Sequence, residues 1–263
     1  MLSANIVQDG LAVVCGGAVG FSLGLIGGGG SVLAVPLLLY VVGVADPHLA
    51  IGTSALAVAA NAFANLLPHA RVGNVRWGPA AIFAAAGVLG AYAGSSAGKA
   101  LDGQRLLVLF ALLMIVIAVV MQLPRRFVAG GPVRLTLPLT GRFAGAGLGT
   151  GLLAGFFGIG GGFLIVPALT LVCGLATLEA IGSSLLSVGA FGFTTAVNYA
   201  VSGLIDWAIA ALFIAGGVAG GAFGAASAGR LARNNLALNR VFGVIVLSVA
   251  LYMLAHGTGL IGG

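Results

Sequence analysis

One glycine run occurs twice in this chain, each time inside a long apolar stretch. The first copy reads Gly24-Leu-Ile-Gly27-Gly-Gly-Gly30-Ser31 and is followed by an apolar run holding Pro36. The second reads Gly155-Phe-Phe-Gly158-Ile-Gly160-Gly-Gly162, again with an apolar run behind it, holding Pro167. Clustered glycines break a helix, because glycine weakens the helix and tolerates left-handed dihedrals. In a bilayer a break leaves peptide groups without partners, so it persists only where protein or a watery cavity covers it. Each run therefore reads as a turn between two short helices, with backbone N–H groups at the second helix's start aimed inward, where they attract anions.

Composition places those stretches in a membrane. Of 263 residues, 60% are hydrophobic and only 6% are charged. A soluble domain carries about 25% charged residues. Such a chain could not cover a water-exposed surface, so most of it faces lipid or other apolar helices. The 46 glycines indicate close helix packing. The net charge of +6 comes from residues in loops between apolar runs, so membrane topology explains it and no nucleic-acid partner is expected. Cys15 and Cys173 read as small core residues. The first ten residues hold no Lys or Arg, so a cleaved secretory signal is not expected.

The whole chain is one unit written twice. Pro36 matches Pro167 at a shift of 131, as do Gly16, Gly20 and Gly24 with Gly147, Gly151 and Gly155. After a one-residue difference the shift becomes 130. It pairs Ile51-Gly-Thr-Ser54 with Ile181-Gly-Ser-Ser184, Trp77 with Trp207, and Gly90 and Gly94 with Gly220 and Gly224. The domains are a first membrane repeat (1–123), a Pro- and Arg-rich linker (124–140) and a second membrane repeat (141–263). Each repeat reads as five apolar elements, roughly 8–25, 31–43, 48–70, 76–98 and 104–122, then 141–157, 162–174, 178–200, 207–229 and 235–255. The last three of each are long enough to span, whereas the segments after the glycine runs are short.

Loop charge chooses the topology. If each glycine run turns the chain back, one face collects Arg71, Arg76, Arg125, Arg126, Arg134, Arg142, Arg230, Arg233 and Arg240, and the other only Lys99 and Arg105. If each run merely kinks a single crossing, the charges split almost evenly. The positive-inside rule favours the hairpin. Both termini then lie outside, the linker lies in the cytoplasm, and the second repeat is inserted upside down, as in many secondary transporters. The fold class expected is an all-α integral membrane protein of two inverted repeats with Gly-rich breaks near the midplane.

Few residues can carry chemistry. The two runs offer backbone N–H groups at Gly28, Gly29, Gly30 and Ser31, and at Gly160, Gly161 and Gly162. A polar stripe of Ser54, Asn61, Asn65 and His69 shares one helical face, and Ser184, Ser187, Thr194 and Asn198 form a second. Amides are costly against lipid and face a bundle interior or cavity. Asn61, Asn65 and Asn198 are therefore candidate substrate contacts, and Thr53, Ser54, Ser183 and Ser184 could close the site with hydroxyls. His69 and Arg71 are candidates for gating or steering, with interfacial anchoring as the plainer reading. The Gly90, Gly94, Gly98 and Gly216, Gly220, Gly224 ladders have small-xxx-small spacing and read as packing. No metal set, cofactor or nucleotide motif emerges.

In their order and duplication these motifs resemble the sulfite exporter TauE/SafE family. The marks are Gly27 to Gly30 with Pro36, Gly52-Thr53-Ser54 and Val75-Arg76-Trp77, then Gly158 to Gly162 with Pro167, Gly182-Ser183-Ser184 and Ile205-Asp206-Trp207. The resemblance implies a bacterial inner-membrane permease moving sulfite, sulfoacetate or similar organosulfonates, usually outward. The second copy departs in having Ile159 inside its run and Phe191 where the first has Asn61. The expected function is thus a secondary transporter of small sulfur-containing anions, not an enzyme. Its partners are the anion, the lipid and an H+ or Na+ coupling ion. An anion channel is the alternative. An intramembrane hydrolase is a further one, but Ser54 and His69 lie about 22 Å apart on a straight helix, which leaves no nucleophile–base dyad.

Overall fold

Lipid supplies no hydrogen-bond partner, so an apolar stretch must satisfy its own backbone, and a helix does this within one segment. The computed structural model describes residues 2–122, 137–172, 174–231 and 235–257, and these form ten α-helices and no strand. They are α1 (Leu2–Ile26), α2 (Ala34–Tyr40), α3 (Pro47–Arg71), α4 (Trp77–Lys99), α5 (Gly103–Gln122), α6 (Leu137–Phe157), α7 (Gly162–Pro167), α8 (Thr177–Ala200), α9 (Trp207–Leu231) and α10 (Asn235–Gly257). A 3-10 segment, Gly27–Leu33, leads into α2, and a π-helical turn, Ala168–Val172, follows α7. Among the described residues five helices are long and apolar enough to cross a membrane: Ile6–Ile26, Pro47–Arg71, Trp77–Lys99, Leu178–Ala200 and Trp207–Ser227. The protein is an all-α membrane protein.

The long elements fall within a few residues of the sequence reading. Two helix starts differ. α1 begins at Leu2 instead of residue 8, because nothing in residues 2–7 breaks a helix. α6 begins at Leu137, inside the stretch read as linker. The linker arginines Arg125, Arg126 and Arg134, with Cys173 and Arg233, lie outside the described residues.

The scarce acidic residues mostly start helices. Asp46 accepts from the backbone N–H groups of His48 (2.7 Å) and Leu49 (3.2 Å), with Pro47 at the first helical position. Asp206 caps α9 through Ala208 and Ile209, and Asp102 caps α5 through Arg105. Carboxylates belong there, where orphan donors and the positive end of the helix dipole meet.

Helices pack mainly between the two repeats. The first helix of each lies along the fourth of the other, α1 on α9 and α6 on α4. α3 packs on α8, and α5 on α10. Glycine sets the closeness. Cβ atoms at Gly216, Gly220 and Gly224 would fall on the carbonyls of Val13, Gly17 and Phe21. Cβ atoms at Gly90, Gly94 and Gly98 would fall on those of Leu148, Leu152 and Phe156. The ladders are packing surfaces, as their spacing indicates.

The same contacts give direction. Gly16, Gly20 and Gly24 meet Phe213, Gly217 and Gly221 in rising order, so α1 and α9 run together. Asn61 and Asn65 meet Gly217 and Gly221, so α3 runs with them. Gly52 meets Leu204, Gly192 meets Ala55 and Ala59, and Gly182 meets Asn74, so α8 runs against α3. Because α1 and α3 share one direction, the segment between them returns the chain, as a hairpin requires.

Replacing Gly94 or Gly220 with alanine should destabilise the protein by about 1–3 kcal/mol, the usual cost of overpacking. Gly149→Ala, with nothing within 4 Å of the new methyl, should leave the melting midpoint in detergent unchanged or slightly raised. Thermal unfolding followed by size-exclusion chromatography checks the contrast.

Candidate functional site

The two glycine runs break their helices differently. In the first repeat α1 ends at Ile26, and the next residue, Gly27, has a φ of +75° that only glycine adopts without strain. Gly28, Gly29, Gly30 and Ser31 then continue as 3-10 helix. Gly30 folds back so tightly onto Ser22 and Leu23 that no Cβ fits. In the second repeat Gly158, Gly160 and Gly161 all take positive φ (+68°, +65° and +67°), and α7 starts at Gly162. This break closes on itself: Gly158 N donates to Gly155 O and Ile159 N to Ala154 O, both at 3.2 Å. The first repeat uses a side chain instead. His69 Nε2 donates to Gly24 O at 3.3 Å, serving a carbonyl at the end of α1.

α7 packs against the 3-10 segment, so the two glycine-rich stretches are neighbours. The first glycines of the two breaks do not coincide. Gly158 sits against Ile51 near the start of α3, and Gly27 against Ile181 and Ser184 near the start of α8. The downstream parts meet. A Cβ at Gly160 would lie 3.1 Å from Val58 and 3.0 Å from Val188, which are equivalent residues of the two repeats.

The hydroxyls near the breaks have backbone partners. Ser54 Oγ donates to Ile51 O (2.8 Å) and to Gly158 O (3.3 Å), tying α3 to the second break. Ser184 Oγ donates to Ile181 O (2.8 Å) and lies beside Gly27. Thr53 Oγ1 accepts from Asp206 N, and Ser183 Oγ from Arg76 N, each at 3.0 Å. Each hydroxyl thus holds the start of a helix in the opposite repeat. Arg76 also pairs with Glu179 at the first turn of α8, and the carboxylate raises the guanidinium pKa above its ordinary value.

The polar stripes do not converge on the breaks. Asn61, Asn65 and His69 are buried between α3, α1 and α9. Asn65 Nδ2 donates to Asn61 O at 2.9 Å. Asn61 is fully buried against Gly217, and neither end of its side-chain amide has a hydrogen-bond partner. Asn198 lies elsewhere, near the end of α8, donating to Ser95 (2.7 Å) and Ser96 (3.0 Å). Lys99 Nζ donates to Asn198 O and Ser202 Oγ, both at 2.8 Å. Arg71 is exposed at the end of α3, and Trp77 and Trp207 are exposed as interfacial aromatics would be.

The stripe on α8 follows the repeat more faithfully than the spacing 3, 7 and 4 indicates. A shift of 130 carries Asn65 onto Thr195 and His69 onto Tyr199, both fully buried. Thr194, by contrast, spends its hydroxyl on Ala190 O. Applying the repeat shift residue by residue finds Thr195 and Tyr199; helical periodicity alone does not. The hydrolase reading gains nothing here, since Ser54 and His69 each bond a backbone carbonyl of a different break.

A family model described as sulfite exporter TauE/SafE matches residues 12–253. The chain belongs to this family. A "Probable membrane transporter protein" of Xylella fastidiosa is 54% identical over 240 residues, covering 91% of this chain and 92% of that one. The "Probable membrane transporter protein YunE" of Bacillus subtilis is 29% identical over 238 residues, covering 82% and 87%. A "Probable membrane transporter protein MJ0441" of Methanocaldococcus jannaschii is 29% identical over 168 residues, covering 61% of each chain. No solved structure matches. The protein is therefore a multi-pass membrane transporter of the TauE/SafE family.

Thr53→Val and Ser183→Ala should each cost about 1 kcal/mol, because each strands a backbone donor at a helix start. Ser202→Ala should cost less, since Lys99 keeps Asn198 O. Denaturant titration of the three purified variants decides whether the two hydroxyls act as caps.

Proposed function

We propose that this transporter carries small sulfur-containing anions, sulfite or organosulfonates, by alternating access across the bacterial inner membrane. The observation that carries the reading is the contact between the two glycine breaks inside the bundle. Irregular backbone at membrane depth is tolerated where it lines a site or is covered by protein, and transporters use such breaks to hold ions. The anion would lie among the backbone groups of Gly28 to Ser31 and Gly160 to Gly162, with Ser54 and Ser184 at the margins. Asn61, about one turn of α3 beyond Val58, would line the approach to that site with an amide whose two ends are uncommitted. Binding through N–H groups and amides suits an oxyanion, which offers only acceptors.

The two repeats are proposed to sit in opposite orientations, a reading that the opposed courses of α3 and α8 support. The Arg71 and Arg76 face is then cytoplasmic, and the Lys99 and Arg105 face and both termini are periplasmic. Rocking of the repeats would open the Arg76–Glu179 side and the Lys99–Asn198 side in turn. Coupling to H+ or Na+ is proposed without a carboxylate relay inside the bundle. Asp46, Asp102 and Asp206 cap helices, Glu179 pairs with Arg76, and the fifth acidic residue, Asp9, is exposed in the early part of α1.

Gly160→Val should abolish flux, because the residue holds a φ of +65° and its Cβ would press on Val58 and Val188. Gly29→Val should do the same through the first break, while inserted protein remains detectable. Uptake of labelled sulfite, sulfoacetate and thiosulfate into reconstituted vesicles, with and without a pH gradient, measures this. Full flux in both variants refutes the site. Counterflow separates a carrier, which shows trans-stimulation, from a channel, which does not.

A further inference from the structure

Serine and threonine inside a helix commonly give their hydroxyl proton to a carbonyl one turn back. Ser22, Ser96, Thr150, Thr194 and Ser248 all do so here. Ser187 and Thr195 do not. Both are fully buried, and neither hydroxyl has a partner. The phenol of Tyr199 is likewise fully buried and unpartnered. Residues 187, 195 and 199 are spaced eight and four apart on α8, so they share one face. Phe191 lies midway between Ser187 and Thr195 on that face. Its ring occupies the space that a Cβ on Gly87 would need, and it stacks on Phe83 of α4 with centroids 6.2 Å apart.

A hydroxyl that leaves water without gaining a hydrogen bond is costly and uncommon. Three in line on one helix face call for a polar partner along that line. Water fits, since it both donates to and accepts from each hydroxyl. The line has a wet end. Lys99 Nζ sits 5.8 Å from the centre of the Tyr199 ring and reaches the exposed Ser202. Lys99 is the only lysine in the chain, and both of its hydrogen-bond partners are neutral. The other end reaches the glycine breaks, because Val188, next to Ser187, touches Gly160. From Tyr199 to Ser187 the line covers about 18 Å of α8.

The other repeat closes part of its own seam, leaving only the Asn61 side-chain amide, at the place of Phe191, without a partner. There Asn65 donates to Asn61 O and His69 to Gly24 O, and Ala57 stands in place of Ser187. We propose that the Ser187–Thr195–Tyr199 face of α8 lines a water-filled passage from the Lys99 mouth to the second glycine break, with Phe191 as its constriction. The passage would serve the transport proposed above and so rests on that reading for its purpose, but its hydration does not depend on which anion crosses.

Single cysteines test this in proteoliposomes, in a background with Cys15 and Cys173 replaced by alanine. The probe is a small, charged, membrane-impermeant methanethiosulfonate. Thr195→Cys and Tyr199→Cys should react at least tenfold faster than Leu185→Cys and Ala196→Cys, buried residues off that line. Ser187→Cys should react slowly until Phe191→Ala is added. Near-isosteric variants give a second measurement if a cysteine variant does not fold. Thr195→Val and Tyr199→Phe should lower sulfite flux at least fivefold without lowering the melting midpoint. Labelling no faster than at Leu185 and Ala196, or full flux in both isosteric variants, overturns the passage. If no sulfur anion crosses in the parent protein while Thr195→Cys and Tyr199→Cys still react, the substrate reading falls and the passage stands.

Discussion

A peptide group in hydrocarbon must find a hydrogen-bond partner within the protein, and this constraint governs the whole molecule. Wherever the chain leaves the helix at membrane depth, something else must cover the backbone it exposes. The two glycine breaks are covered by each other's repeats. Ser54 of the first repeat bonds Gly158 O of the second, and Ser184 of the second sits beside Gly27 of the first. α7 lies on the 3-10 segment. Bonds within each repeat, Gly158 N to Gly155 O in the second and His69 to Gly24 O in the first, complete the cover.

The packing between repeats follows from the same need. Backbones must approach closely where helices carry no charge and few large side chains, and glycine allows it. α1 lies on α9 and α6 on α4 through glycines whose missing Cβ atoms are replaced by carbonyls of the neighbour. The hydroxyls of Thr53 and Ser183 extend the exchange to the loops, each capping a helix of the other repeat. The outcome is a bundle in which nearly every strong contact crosses from one repeat to the other.

Against that shared frame, the differences between the repeats carry the functional interest. Asn61 and Phe191 occupy equivalent places, one a buried amide and the other a stacked ring. His69 serves the carbonyl of a broken helix, whereas its equivalent Tyr199 holds a hydroxyl with nothing to bond. One clasp carries the Arg76–Glu179 ion pair, and at the other Asp206 caps a helix.

Much of this was legible in the sequence, because the signals involved are local or repeated. Composition placed the chain in lipid, the glycine runs marked the breaks, and the repeat shift aligned the two halves to the residue. The long helices needed only uninterrupted apolar stretches between capping aspartates and glycines. What the sequence could not decide was which partner each polar group takes. Thr53 and Ser183 look like site hydroxyls until the loop of the other repeat arrives at 3.0 Å. Asn198 shares a helical face with Ser184, yet Ser95 and Ser96 lie within its reach only because α4 packs on α8. Periodicity fixes the face of a helix, and a repeat fixes its equivalents. Only packing across some hundred residues of chain determines whether a buried hydroxyl meets a carbonyl or is left without one.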